Sequence, residues 1–215
     1  MTGEIMEVVS GGLVELIDGQ VTLTGGANVA GVVRGTGSFD VTGTTEVDGE
    51  EITSVFKMNG GYIAPGLSPG ILTINGDYSQ DANSVLEIEI GGYEAGTEHD
   101  VLDITGNASI DGTIVLNFID GFAPKQGDTL FFLEVAGVLD FMVEDVVVEG
   151  LKDGWNFDFF SGDEGLFLNS LSDAEFKPVT TVPLPTALPL LISALISLRM
   201  IGRTGKEKQR TPFSD

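Results

Sequence analysis

The sequence predicts an all-β fold, a solenoid of short strands, followed by one short C-terminal membrane helix. Asn-Gly and Asp-Gly pairs occur six times between residues 8 and 121, and such pairs are typical of tight turns between strands. Between these turns, short runs rich in Val, Ile, Leu and Thr alternate with polar residues, which is the period of a strand. A five-residue unit also recurs along this body.

The recurring unit is apolar, Thr or Asp, apolar, Thr or Asn, and then Gly. Its copies begin at Val21, Phe39, Leu72 and Leu102. The two apolar residues of a copy share one face of a strand, and the Gly accommodates a turn with positive φ. Stacked copies bury a continuous apolar column, as solenoid repeats do. The copies start 18, 33 and 30 residues apart, which predicts insertions or turns without the unit, and a β-sandwich remains the alternative fold.

Residues 128–176 predict an aromatic-rich cap over the end of the solenoid. Strand-like runs continue there, and an uncovered solenoid end would expose strand edges that invite aggregation. A ligand platform, for example for sugars, is the alternative use of the same side chains. The aromatic residues are Phe131, Phe132, Phe141, Trp155, Phe157, Phe159, Phe160 and Phe167.

An ordered series of segments within residues 60–135 resembles a repeat in the passenger regions of autotransporter-like adhesins. The series comprises residues 64–80 (Ala-Pro-Gly-Leu-Ser-Pro-Gly-Ile-Leu-Thr-Ile-Asn-Gly-Asp-Tyr-Ser-Gln), 86–92, 99–106 and 112–116. The resemblance implies a right-handed parallel β-helix on the cell exterior, with residues 1–177 as a passenger-like ectodomain. It implies no particular activity, because such passengers serve as adhesins, enzymes or plain stalks.

Charge divides the chain into two parts. The whole chain carries 10 Lys and Arg against 33 Asp and Glu, for a formal net charge of −23. Residues 1–177 hold 5 bases and 31 acids, whereas residues 178–215 hold 5 bases and 2 acids. The acidic body argues against a nucleic-acid partner, because phosphate binding needs clustered Lys and Arg. The absence of Cys excludes a disulfide framework, a thiolate metal site and a Cys nucleophile.

The C-terminal segment predicts a membrane anchor. No charged residue occurs in residues 178–198, and a helix over residues 186–201 would be about 24 Å long at ~1.5 Å per residue, short against a bilayer core of ~30 Å. Its apolar residues include Leu188, Leu190, Leu191, Ile192, Leu195, Ile196 and Leu198, and the basic flank comprises Arg199, Arg203, Lys206 and Lys208. The basic tail, residues 202–215, is expected in the cytoplasm and the acidic body outside. A buried helix of the soluble domain is the alternative.

The linker of residues 178–185 contains Val182-Pro183-Leu184-Pro185. With the apolar segment and the basic end behind it, this motif resembles the PEP-CTERM sorting signal of Gram-negative bacteria, in its Val-Pro-Leu-Pro variant. The resemblance implies recognition by an exosortase-type membrane enzyme, transit through the membrane, and delivery to the cell surface or the extracellular space. Leu184 stands where the commonest form has Glu, and the basic end is longer than usual. The first residues do not resemble a signal peptide, so we expect the natural start to lie upstream.

The sequence contains four enzyme-like or metal-like patterns. Gly66-Leu67-Ser68-Pro69-Gly70 matches G-x-S-x-G, but Pro69 has no N–H for an oxyanion hole, which favours a turn. His99, the single His, is predicted to lie in a surface loop. Carboxylate pairs such as Glu87 with Glu89 and Asp145 with Glu149 permit glycoside hydrolysis, yet 33 acids produce such pairs by chance.

Residues Asp77, Ser79, Asp81 and Asn83 alternate as calcium ligands do, but Ala82 and Ile88 break the EF-hand pattern. Weak Ca²⁺ binding stays open, and no other cofactor is predicted. The sequence thus predicts a non-catalytic surface protein, adhesive or structural, with the membrane, an exosortase-type enzyme and extracellular polysaccharide as candidate partners. The alternatives are an exported polysaccharide-active enzyme on the same scaffold and a plain tail-anchored envelope protein.

Overall fold

The computed structural model describes residues 5–47, 50–67, 69–143, 145–162 and 165–178. All regular structure in these ranges is strand, and no helix there is long and apolar enough to cross a membrane. The predicted sorting motif, membrane helix and basic tail lie outside the described residues. The strands are β1 (Met6–Val8), β2 (Leu13–Leu23), β3 (Ala27–Val29), β4 (Val32–Val41), β5 (Thr44–Val47), β6 (Glu50–Thr53), β7 (Val55–Met58), β8 (Tyr62–Pro65), β9 (Ile71–Asn75), β10 (Asp77–Gln80), β11 (Val85–Ile90), β12 (Val101–Ile104), β13 (Ala108–Ile110), β14 (Thr113–Phe118), β15 (Thr129–Val135), β16 (Leu139–Phe141), β17 (Asp145–Glu149), β18 (Phe157–Gly162) and β19 (Gly165–Ser170).

A six-stranded sheet joins strands from successive passes of the chain, in the order β1-β3-β7-β10-β13-β16. Every neighbouring pair in it is parallel. The register aligns one inward column: Met6, Ala27, Phe56, Tyr78, Ala108 and Leu139. Parallel strands that follow one another in this way require a long connection between them, and here each connection carries strands of the second sheet.

The second sheet has eleven strands in the order β17-β14-β11-β8-β4-β9-β12-β15-β19-β18, with β2 paired to β4. β4 pairs with β8 through Val32–Arg34 and with β9 through Gly37–Asp40. The long strand β4 therefore pairs with two shorter strands, one along each half of its length. All pairs are parallel except β15 with β19 and β18 with β19. The sheet is therefore mixed, with its antiparallel part confined to one end.

Copies of the recurring unit lie on paired strands, but they are not always aligned with each other in register. Val21 aligns with Phe39, and Leu72 aligns with Leu102, as the repeat predicts. Between the second and third copies the alignment slips by two residues, so that Phe39 faces Ile74. A slip of two residues keeps each side chain on the same face, and the apolar column therefore stays intact. The long interval between these copies contains an antiparallel hairpin, β5–β6, which is one of the expected insertions.

Alternation of side chains builds the core. In β11 the residues Leu86, Ile88 and Ile90 are at most 1% exposed, while the residues between them are partly exposed. β14 shows the same alternation. Each such side chain contributes roughly 1.5–3 kcal/mol through burial of apolar surface, so the column is the main source of stability.

The aromatic residues of the C-terminal part divide between two faces. Trp155, Phe157 and Phe159 pack against the core, and the ring of Trp155 meets that of Phe118 edge-on at 5.1 Å. They pack beside the last strands of the sheets, and their role as the cap of a solenoid stays a prediction. A second group comprises Phe131, Phe167 and Phe160. The ring of Phe160 stacks on that of Phe167 at 5.0 Å, and the ring of Phe131 lies tilted against Phe167 at 4.7 Å.

Candidate functional site

A cleft of about 490 Å³ lies on the outer face of β4, β8 and β11, and we call it the tyrosine cleft. It gathers two of the carboxylates that the sequence singled out, together with a third acid, a tyrosine and an arginine. Its lining residues are Val32, Arg34, Tyr62, Ala64, Gly66, Leu67, Glu87, Glu89 and Asp100.

Strand alternation places these side chains on one face. Ile63 and Leu86 face each other in the β8–β11 pair and are fully buried. Their neighbours Tyr62 and Glu87 consequently point outwards. Glu89 follows Glu87 by two residues on the same face. A period-2 pattern in the sequence therefore predicts this face, although it does not predict which strands adjoin.

Glu87 is held by two neighbours within the cleft. The hydroxyl of Tyr62 donates a hydrogen bond to its Oε2, and the side-chain amide of Asn117 donates to its Oε1 at 3.0 Å. Both carboxylate oxygens thus have a donor. Glu87 is therefore fixed in orientation, as is expected of a residue that positions a ligand or that links neighbouring strands.

Asp100 is the buried acid of the cleft, with 1% of its surface exposed. Its Oδ1 accepts a hydrogen bond from the N–H of Gly70 at 2.8 Å, and its Oδ2 accepts one from the N–H of Glu89 at 2.9 Å. Burial raises the pKa of Asp100 to about 8, although these two N–H groups oppose the shift. The sequence did not single out Asp100, because its burial depends on the loop of residues 91–100 folding back onto β11.

Glu89 faces the cleft, and the structure shows no hydrogen bond to its carboxylate within the described ranges. Partial burial, followed by the charges of Glu87 and Asp120, raises the pKa of Glu89. The cation Arg34 does not neutralise it, because Arg34 donates to Glu15 at 2.7 Å and 3.0 Å. Such a face can accept hydrogen bonds from hydroxyl or amine groups of a ligand.

The prediction for His99 was wrong. The sequence placed it in a surface loop, but its side chain is only 2% exposed. Its Nδ1 lies 3.2 Å from the carbonyl oxygen of Gly92, and its Nε2 lies 2.8 Å from that of Phe131. The partner on β15 is 32 residues away in sequence, and no local pattern could have revealed it.

The alternating polar residues after Asn75 serve as turn and strand links. Asp77 accepts a hydrogen bond from the N–H of Asn107 at 2.8 Å. Slight burial acts to raise the pKa of Asp81. Hydrogen bonds from the Ser84 hydroxyl and from the N–H groups of Gly60 and Asn83 outweigh this effect and lower the pKa. Across the described ranges, no group of three or more His, Asp or Glu is arranged to hold a metal ion.

The remaining candidates are placed as follows. Gly66 and Pro69 form an isolated bridge within a turn, and Gly66 has a φ of 100°, in keeping with the predicted turn. Asp145 and Glu149 lie at opposite ends of β17 and are both exposed. The sorting residues Val182, Pro183, Leu184 and Pro185, like the anchor and basic flank behind them, lie beyond the residues described and stay predictions.

Three comparisons with known proteins give one relative. The chain is similar to the "Adhesin BmaC autotransporter" of Brucella suis biovar 1 (strain 1330), with 30% identity over 132 residues. The match covers 53% of this chain and 4% of the relative, so the chain spans only a small part of that protein's length. No protein-family model matches the sequence. No solved structure matches it either.

Proposed function

We propose that the protein is a non-catalytic surface protein with an adhesive or structural role. The observation that carries this proposal is the likeness of half the chain to part of an autotransporter adhesin. The parallel ladders support it, because strands from successive passes stack in register along two sheets. We infer that these passes are the turns of a right-handed parallel β-helix.

The C-terminal segment completes the proposal. Residues 178–185 would present Val182-Pro183-Leu184-Pro185 to an exosortase-type enzyme, residues 186–201 would span the membrane, and residues 202–215 would stay in the cytoplasm. The charge contrast supports this orientation, because Arg199 and Arg203 directly follow the uncharged run. The ectodomain of residues 1–177 would then reach the cell surface or the extracellular matrix.

The sorting step is tested by the intact mass of the protein from its native host. We expect a mature species that ends after about Pro185 and is removed from whole cells by added protease. When Pro183 and Pro185 are both replaced by Ala, the mature protein should retain the tail. The matched control Pro124→Ala, in the body, should lose the tail as the wild type does. A full-length protein recovered from the cytosol would contradict both the sorting and the surface location, and a full-length protein in the envelope would favour the plain tail anchor.

A polysaccharide-active enzyme is the second candidate, because the tyrosine cleft brings Glu87, Glu89 and Asp100 to one face. Glycoside hydrolysis needs one acid and one base or nucleophile, and among the three acids that line the cleft Glu89 is the one whose carboxylate accepts no hydrogen bond from the described residues. Purified protein is incubated with host extracellular polysaccharide, and new reducing ends are measured. We expect none. Activity that disappears in Glu89→Gln and persists in the exposed control Asp145→Asn would establish the enzyme instead.

A further inference from the structure

The tyrosine cleft has the size and the setting of a preformed ligand site. Its volume of about 490 Å³ lies within the range of roughly 300–1,000 Å³ that is usual for small-molecule sites. β4, β8 and β11, which carry most of it, each have a paired strand on both sides. The cleft therefore does not depend on either end of the chain, and its lining indicates the chemistry of its ligand.

One part of the lining is apolar and aromatic. Tyr62 and Val32 are register partners on neighbouring strands, and Leu67, which is 48% exposed, belongs to the same lining. Ala64 lies opposite Arg34 in the register, and its single methyl group takes up little of the cleft. An aromatic ring beside apolar side chains offers a contact surface for the carbon skeleton of a ligand.

The charged part of the lining carries more acid than base. Glu87 and Glu89 lie two residues apart on the same face of β11, and Asp100 belongs to the same lining. Arg34, the base among these lining residues, already donates two hydrogen bonds to Glu15. No cation among the described residues of the cleft is therefore left to offset Glu87 and Glu89.

Glu89 is the partly buried carboxylate of the cleft to which no described residue donates a hydrogen bond. Partial burial, followed by the charges of Glu87 and Asp120, raises its pKa, so the surroundings disfavour its ionised form. An ammonium group has three N–H donors and a positive charge, and it can bond to two carboxylates at once. A hydroxyl group can donate a hydrogen bond as well, but it leaves the two negative charges unopposed.

We propose that the tyrosine cleft binds a primary ammonium group carried on a small organic body, such as an amino sugar or a diamine. The ammonium would lie between the carboxylates of Glu87 and Glu89, and the carbon skeleton would contact Tyr62 and Leu67. Tyr62 and Asn117 hold the Glu87 carboxylate by hydrogen bonds, so it is oriented before a ligand arrives. The inference deepens the adhesive role proposed above, on which its use at a cell surface rests, by naming the chemical class of the ligand.

The charge of the whole body also attracts cations, and the test must separate this attraction from binding in the cleft. Residues 1–177 hold 31 acids against 5 bases, which favours cations of any kind near the surface. At ~0.15 M salt the Debye length is ~8 Å, so attraction to exposed charges is largely screened, whereas a partly buried contact is screened much less. Binding that persists at this salt and depends on cleft residues is therefore specific.

Isothermal titration calorimetry of the full-length chain in a mild nonionic detergent, at about 150 mM NaCl and about pH 6, tests this proposal. The amine ligands are a glucosamine trimer and cadaverine, and the neutral control is the N-acetylated trimer of the same length. We expect saturable binding of at least one amine with a Kd below about 1 mM, and no saturation by the neutral trimer up to about 10 mM. The amine that binds more tightly distinguishes an amino sugar from a simple diamine.

Two variants locate the binding within the cleft. Glu89→Gln keeps the shape of the side chain but removes its charge, and it should weaken amine binding about 10-fold or more. Ala64→Phe keeps every charge but fills the cleft, and it should weaken binding by a similar factor of about 10. The control Asp145→Asn removes one exposed charge on β17, outside the cleft, and should change the Kd by less than about 2-fold.

Circular dichroism confirms that each variant is folded, and Glu87→Gln replaces Ala64→Phe if the larger side chain prevents folding. A folded wild-type chain that binds neither amine overturns the proposal. Equal binding of the neutral trimer also overturns it, because charge is then not what the site recognises. Amine binding that the folded cleft variants leave unchanged overturns it as well, because the amine must then bind elsewhere on the acidic surface. None of these outcomes affects the proposed surface location, which the mass and protease measurements on the native host test separately.

Discussion

The imidazole Nε2 atom of His99 lies 2.8 Å from the main-chain carbonyl oxygen of Phe131 and ties the loop of residues 91–100 to β15. The other ring nitrogen lies 3.2 Å from the carbonyl oxygen of Gly92, within the same loop. A neutral imidazole has one N–H and donates to one of these carbonyls, whereas a doubly protonated ring donates to both. The ring therefore links this loop to the core sheet from a buried position.

Replacing His99 by Ala should destabilise the protein by about 2–3 kcal/mol, because the ring's hydrogen bond to a main-chain carbonyl oxygen is lost and a cavity remains. The free energy of unfolding is measured by urea titration of the full-length chain. Thr97→Ala, at an exposed position in the same loop, is the control and should change it by less than ~0.5 kcal/mol. Equal effects of the two changes would show that His99 does not anchor the loop.

Asp100 should make the stability depend on pH in an unusual direction. Burial raises its pKa in the folded state to about 8, whereas the unfolded chain has an ordinary value of ~3.9. Between these values the folded state keeps a proton that the unfolded state releases, so stability falls as the pH rises through this window. The slope for one such proton reaches about 1.4 kcal/mol per pH unit.

The variant Asp100→Asn removes this ionisable group and tests the direction in which stability changes with pH. Asn should cost stability at pH 4.5, where Asp100 is neutral, because the side-chain NH2 of Asn would face one of the two main-chain N–H groups that now donate to the carboxyl oxygens, and the cost should shrink as the pH approaches 8. Urea titrations of both proteins across that range give the difference at each pH. A difference that stays constant, or grows with pH, would show that Asp100 is ionised in the folded protein.

The sequence predicts the strands and their faces because both depend on neighbouring residues. Alternation alone identifies Leu86, Ile88 and Ile90 as core residues. It cannot reveal the burial of His99 or the two-residue slip that sets Phe39 beside Ile74, because both depend on contacts more than 30 residues apart. For the same reason the sequence singled out the pair Glu87 and Glu89 on one strand but did not predict the tyrosine cleft, because Asp100 joins them through a loop.

Close backbone approach makes Gly35 sensitive to substitution. It lies in β4 with a φ of +119°, and an added Cβ would collide with the carbonyl group of Leu16 on the neighbouring strand. Gly35→Ala should therefore destabilise the protein by at least ~2 kcal/mol, since both strain and overlap act on a paired strand. Gly19→Ala is the matched control, because its Cβ would have its nearest contact 3.9 Å away at Leu16. Similar thermal midpoints for the two variants would contradict the close packing of β2 on β4.

The aromatic cap should stabilise the last strands of the stack. The indole N–H of Trp155 donates to the Oγ of Ser170 at 2.8 Å, and its ring packs on Phe118 and Phe157 at 5.1 Å and 4.7 Å. Trp155→Ala should cost about 3 kcal/mol, through lost aromatic packing and the loss of one of the two hydrogen bonds of the Ser170 hydroxyl, which still donates to the carbonyl oxygen of Ser172. Phe160→Ala, at a site 44% exposed outside the core, should cost less than ~1 kcal/mol.

Hydrogen exchange separates a local cap from a global effect. If Trp155 covers the end of the column, its removal should speed exchange of the amides of β14 and β17 more than those of β3 and β7. The reason is that the strands nearest the lost cover would open first, without unfolding of the whole stack. Uniform acceleration along the chain would show instead that Trp155 contributes to a single cooperative core and does not act as a lid on its end.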